Sequence, residues 1–139
     1  MAQEMQLSVV APDRSVVDEP VQSVVIPGAA SYFGVLKGHV PLIAALKAGL
    51  VEYIDAGNQR HYVSISGGFA EISPAKINIL ADAAERAQDI DVARAEKALE
   101  NARKALRGEI SGVNSVEATA ELERAMTRLK AAKSASDGR

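Results

Sequence analysis

The 139-residue sequence predicts an α+β chain in two parts. An N-terminal antiparallel β-sandwich is expected over residues 1–83 and a C-terminal antiparallel α-helical hairpin over 84–139. Two observations carry that expectation. All five aromatics, all five prolines and seven of the ten glycines precede residue 82, whereas residues 83–139 hold fourteen alanines with eleven Lys/Arg and ten Asp/Glu. Short Val/Ile-rich runs between Gly/Pro turn signals fill the first part, and apolar residues at helical spacing fill the second.

The first strand is marked by Met5, Leu7 and Val9 alternating with Gln6 and Ser8, the period of two that buries one face of a strand. Further short strands are expected at Ser15–Val17, Val21–Ile26, Tyr32–Leu36, Leu42–Leu46, Leu50–Ile54, His61–Ile65, Phe69–Ile72 and Lys76–Leu80. Between them stand turn residues: Pro12-Asp13, Pro27-Gly28, Lys37-Gly38, Ala48-Gly49, Gly57-Asn58, Gly67-Gly68 and Ser73-Pro74. Strands of about five residues recurring every ~8 to 12 read as an antiparallel sandwich or barrel.

In the second part Ala95, Ala98, Leu99, Ala102, Ala105 and Leu106 form one apolar stripe, with Asp89 as the expected N-cap and Gly108 as the stop. After a loop, Asn114 with Glu117 three residues on predicts a capping box. Ala118, Leu122, Ala125, Met126, Leu129 and Ala132 then make a second stripe. Two helices of roughly 18 residues joined by a short loop pack antiparallel. The terminal KSASDGR is expected to fray. The seams offer only Leu99, Leu106, Leu122, Met126 and Leu129 as sizeable side chains, so the pair by itself is marginal, because most helix stability comes from packing.

The composition narrows the chemistry. With 24% charged residues and a net charge of −2 the chain is ordinary globular material with no basic character, so nucleic acid is not an expected partner. Cysteine is absent, which excludes disulfides and thiolate chemistry. The longest apolar run, Val40–Leu46, is far short of the ~20 residues a membrane-spanning helix needs. MAQEMQLSVV has no basic leader, and a cytoplasmic protein is expected. No phosphate loop, dinucleotide fingerprint, zinc-protease motif or nucleophile elbow is present. His39 and His61 fall on different segments with no clustered carboxylates, so neither a catalytic residue nor a metal site is expected.

Arg124 and Arg128 stand four apart on one helical face, a mildly unfavourable arrangement that a bound anion would reverse. In an antiparallel hairpin Arg94, near the start of the first helix, approaches Arg128 at the end of the second. From spacing alone the alternatives are an anion site and a solvated face with scattered charges.

In order, the segments LSVVAPDRSVVDEPVQSVVIPG, GVLKGHVPLIAALKAGL, SISGGFAEI, INILADAAERAQDIDVARA and AELERAMTRL span nearly the whole chain, and together they resemble the epsilon subunit of the F-type proton-translocating ATP synthase. The resemblance implies a non-catalytic rotor subunit on the cytoplasmic face of the cell membrane, peripheral and touching the membrane only through its complex. Its sandwich would bind the gamma subunit and the c-ring. Its hairpin would be a mobile brake on ATP hydrolysis that meets the alpha/beta catalytic ring when extended. No cofactor is required, but ATP is implied as a regulatory ligand. The family's I-D-x-x-R-A motif stands as Ile90, Asp91, Arg94 and Ala95 around Val92 and Ala93, and Glu85, Arg124 and Arg128 match further nucleotide contacts. The resemblance places the c-ring contact at Ala29, Ala30, Ser31, Tyr32, Phe33 and Gly34. Two departures stand out: Asn101 where ATP-binding relatives carry arginine, and Tyr32-Phe33 with Lys37 in place of the usual acidic-apolar pair and proline. Two other classes remain open, a free-standing ATP-sensing module and a structural adaptor with a fixed hairpin.

Overall fold

A computed structural model describes residues 4–137. Seven strands, β1 (Met5–Ala11), β2 (Arg14–Pro27), β3 (Tyr32–Leu36), β4 (Leu42–Asp55), β5 (Arg60–Ser73), β6 (Lys76–Ala81) and β7 (Ala84–Arg86), precede a 3-10 turn (Ala87–Asp89) and two helices, α1 (Val92–Leu106) and α2 (Ser115–Asp137). The pairing order is β1-β6-β5-β4-β2-β3, and β1 also pairs β2, so the sheet closes into a ring flattened around one core. All pairings are antiparallel except β1 with β6. The period of two read in β1 is realised, with Met5, Leu7 and Val9 buried against Val24, Ile26, Tyr53, Ile65, Ile77 and Ile79.

Three pairs of expected short strands are each a single strand of 14 residues, β2, β4 and β5. In β4 and β5 the glycines taken as turns lie within a continuous strand instead of reversing the chain. Gly67 and Gly68 have φ of +119° and +138°, a region open to glycine, and they let β5 cross from pairing β4 and β7 at one end to β4 and β6 at the other. At Gly49 the reason is proximity: a Cβ there would lie 2.5 Å from the Tyr32 hydroxyl and 2.7 Å from Pro27 Cβ.

The sheet also takes in Ala84–Arg86, which pair with Val63–Ile65 of β5 just beyond the composition change. Arg86 ties this strand down, donating from Nε to Val16 O (3.0 Å) and lying near the Tyr53 hydroxyl (3.4 Å) and the Glu19 carboxylate (3.7 Å).

The helices differ from expectation in detail. The α1 N-cap is Asp91, whose carboxylate accepts from Arg94 N at 3.1 Å, because Asp89 is taken up by the 3-10 turn. Asn114 caps α2 by accepting from Val116 N at 2.8 Å. Part of the tail expected to fray continues α2 as far as Asp137, with Ala135 half-buried; residues 138 and 139 lie outside the described residues. The seam is also thinner than the leucines promised. Ala95, Ala102, Ala118 and Ala125 are the buried residues, while Leu106 (41% exposed) and Met126 (51%) face outward. Small side chains at i and i+7 on both helices let the backbones approach closely, which pushes the larger side chains to the flanks.

Helix α2 lies on β4, β5 and the 3-10 turn, and α1 packs against α2. A second, small cluster of Leu50, Ala87, Ile90 and Ala131, flanked by Tyr62, Ala132 and Ala135, seats it there. No described helix is long and apolar enough to cross a membrane.

Candidate functional site

Where α2 passes over β5 and β7 it leaves a cleft of about 350 Å³. The floor is Ser64, Ile65 and Ser66 of β5, one wall is Ala83–Glu85, and the opposite wall is α2, with Glu121, Arg124, Ala125 and Arg128, together with Ala98 of α1. Arg14, at the start of β2, closes one side. Each charged side chain is positioned by the element that carries it. Arg124 and Arg128 share a face of α2 because four residues are about one turn. Glu85 is carried by β7, in register with Ser64. The Pro12-Asp13 turn delivers Arg14, which pairs with Ala11 and donates from Nη2 to Ala84 O at 3.0 Å.

Of the predicted contacts, Glu85, Arg124 and Arg128 therefore meet in one cleft. Arg128 Nε donates to Glu85 Oε1 at 2.9 Å, and Arg124 Nη2 lies 3.8 Å from Glu121 on its own helix. Partly exposed pairs of this kind contribute at most about 1 kcal/mol each, so an incoming anion competes with them on nearly equal terms. The rest of the motif builds the surroundings. Ile90 and Ala95 are buried in packing, and Asp91 is the α1 cap. Arg94 is exposed and is not itself among the residues that line the cleft, although Ala98, one turn further along α1, is. Arg14 was missed because nothing in helical spacing connects residue 14 to residues 124 and 128.

The loop before β3 is displayed to solvent. Ala29, Ala30, Ser31, Tyr32 and Gly34 are exposed, whereas Phe33 is half-buried and packs on the main core. Tyr32 is anchored as well as exposed: its hydroxyl accepts from Leu50 N at 3.0 Å, and Lys47 Nζ lies 5.7 Å from its ring centre. Of the two aromatics in this loop, Tyr32 alone is exposed.

His61, read as isolated, has carboxylate neighbours. Its Nε2 lies 2.8 Å from Asp55 Oδ2, its ring stacks on Tyr53 at 4.8 Å, and Glu19 completes a group whose polar atoms lie within 4.8 Å of one another. The group is internally matched. The hydrogen bond from His61 is the main reason the Asp55 carboxyl sits below its usual range, and Glu19 faces Arg86 while accepting from the Tyr53 hydroxyl (3.2 Å). Burial pushes the Tyr53 phenol up to about 12, with Arg86 opposing and Glu19 reinforcing the shift.

A closed β-sandwich carrying a helical hairpin, with arginines of both parts lining the cleft at their junction, defines the class: a two-part sandwich-and-hairpin protein. Comparison with known proteins makes this particular. The family described as "ATP synthase, Delta/Epsilon chain, beta-sandwich domain" matches residues 4–87, and "ATP synthase, Delta/Epsilon chain, long alpha-helix domain" matches 88–133. The ATP synthase epsilon chain of Solibacter usitatus is 42% identical over 132 residues, 95% of this chain and 98% of the relative. That of Nitratidesulfovibrio vulgaris (strain DP4) is 42% identical over 130 residues, 94% and 96% respectively. A chain in the Euglena gracilis mitochondrial ATP synthase OSCP/F1/c-ring structure superposes with a TM-score of 0.73 at 26% identity, covering 94% of this chain and 81% of that one. A chain of the Tetrahymena thermophila mitochondrial central stalk and c-ring shares the fold at 10% identity, with a TM-score of 0.58 and 96% of both chains covered. The chain belongs to the ATP synthase delta/epsilon family, whose epsilon chains are non-catalytic subunits of the central stalk.

Proposed function

We propose that this subunit couples proton-driven rotation of the c-ring, through gamma, to the catalytic alpha/beta ring, and that its hairpin is a reversible brake on ATP hydrolysis. Docked on the sandwich the hairpin permits turnover; extended along gamma towards the alpha/beta ring it inhibits. The protein works on the cytoplasmic face of the cell membrane as a peripheral part of the complex.

The observation that carries this reading is the seating of α2. The buried cluster that seats it is Leu50 of β4, Ala87 of the 3-10 turn, Ile90 and its own Ala131, only two of them larger than alanine. Burial of an Ile or Leu side chain contributes about 1.5 to 3 kcal/mol. A contact of that size holds a helix pair in place and still lets it leave. ATP in the cleft would favour the docked state, because Glu85 comes from β7 and Arg124 and Arg128 come from α2, so the complete set exists only when the two parts touch. Two surfaces support docking of the sandwich on gamma and the c-ring. Ile43 (72% exposed), Phe69 (60%) and Leu80 (61%) form one apolar patch on β4, β5 and β6, and the Ala29–Gly34 loop stands out from the sheet.

The test is truncation in the assembled enzyme. A chain ending at Ala87 keeps β7 and the Arg86 anchors; it is expected to assemble with gamma and to raise ATP hydrolysis. Loss of gamma binding, or unchanged hydrolysis in a fully assembled complex, would contradict the division of labour.

A further inference from the structure

The nucleotide contacts that the sequence matched to its family all lie at or beyond residue 85, yet the cleft has a cation from the opposite end of the chain. Arg14 lies 70 residues from the strand residue it touches, and its Nη2–H···O bond to Ala84 holds the guanidinium at the cleft. That bond uses one of five N–H donors on the side chain. The two α2 arginines each face a carboxylate within 4 Å, Arg124 that of Glu121 and Arg128 that of Glu85. Among the described residues Arg14 forms no ion pair, so it is the uncompensated cation of the cleft.

We propose that Arg14 is a sandwich-borne contact for the phosphates of a nucleoside triphosphate held in this cleft, with Arg124 and Arg128 gripping the same ligand from α2. The proposal rests on the nucleotide reading above and adds a consequence to it. Three cations divided between two packed parts make the ligand a bridge, with the β1–β2 turn on one side and the mobile helix on the other. Removing the α2 arginines weakens the grip on the helix, and removing Arg14 frees the ligand from the sandwich. Either change uncouples ligand binding from docking. The floor hydroxyls of Ser64 and Ser66 lie on the sandwich side of the same bridge.

The experiment is calorimetry of ATP on the full chain at near-physiological salt, for the parent and for Arg14→Gln, Arg14→Lys and Arg128→Ala, with melting curves recorded with and without ATP. Gln keeps a donor for Ala84 O and removes the charge; Lys keeps both. Loss of one charge-assisted contact in a partly exposed cleft is expected to weaken ATP binding roughly 5- to 50-fold in Arg14→Gln. Arg14→Lys should recover much of that loss, the ATP-induced rise in melting temperature should shrink in Arg14→Gln, and the ligand-free melts should coincide. Equal affinities for Arg14→Gln and Arg14→Lys would reduce Arg14 to a structural tie. Parent-like binding by Arg14→Gln alongside loss in Arg128→Ala would overturn the Arg14 contact and leave the nucleotide site standing. No heat from the parent at millimolar ATP would remove the nucleotide reading, and this inference with it.

Discussion

Replacing Ile90 by alanine tests the seating of the hairpin at one of the two large side chains of its buried cluster. Ile90 is 8% exposed and packs with Leu50, Ala87 and Ala131. The change deletes three carbons, about 0.8 kcal/mol each, and the cavity left behind adds to that. Because the site lies at the margin of the molecule and can partly collapse, a total of about 2 to 3 kcal/mol is expected, near the lower end for Ile→Ala. At 1.4 kcal/mol per tenfold this raises the undocked fraction roughly 30- to 150-fold. Hydrogen exchange followed by mass spectrometry reads this directly: the slowest amides of α2 should speed up by that factor, while those of β5 and β6 change little. Leu106→Ala is the control, since a side chain 41% exposed should alter exchange by less than tenfold. If Ile90→Ala accelerates sheet and helix amides equally, the two parts unfold as one unit and the reasoning fails. If neither changes, the cluster does not seat the helix.

Two further outcomes follow from the sandwich. Gly68→Ala combines a φ of +138° with a Cβ that would collide with the Leu80 carbonyl oxygen, so urea denaturation should show a loss of about 3 kcal/mol or more. Tyr53 has its phenol raised to about 12 in the fold, so the native state holds the proton more tightly than the unfolded chain does. Its contribution is complete below pH 10, the ordinary tyrosine value, and is lost as pH rises towards 12. Tyr53→Phe should flatten the decline of stability across that window, and an unchanged slope would show that Tyr53 is not its source.

Much of this architecture was readable from residue order. The change from Val/Ile runs to alanine and charge places the helices to within a few residues of where they form, and alternation in β1 identifies which of its side chains are buried. Reading failed where one residue type serves two geometries. Gly67-Gly68 and Ala48-Gly49 carry the composition of turns, but tertiary pairing on both sides uses them as bends within long strands. Leucine outranks alanine on any hydrophobicity scale, yet close helix contact selects the alanine stripe, which left Leu106 and Met126 outside. Asp89 and Asp91 are equally good caps by type, and only the 3-10 turn decides between them. In the cleft, helical spacing located Arg124 and Arg128 because their relation is local. Arg14 and the His61–Asp55–Glu19 group depend on strand pairing, which a linear sequence does not display.

Whether the hairpin leaves the sandwich in the working enzyme is measured most directly by a distance between the two parts inside the assembled complex. Spin labels at exposed Gln59 on the β4–β5 turn and exposed Glu123 on α2 report it by pulsed dipolar spectroscopy. With saturating ATP a single short distance matching the docked arrangement is predicted, and without nucleotide a second, longer population. One unchanged short distance under both conditions would mean that the hairpin is fixed.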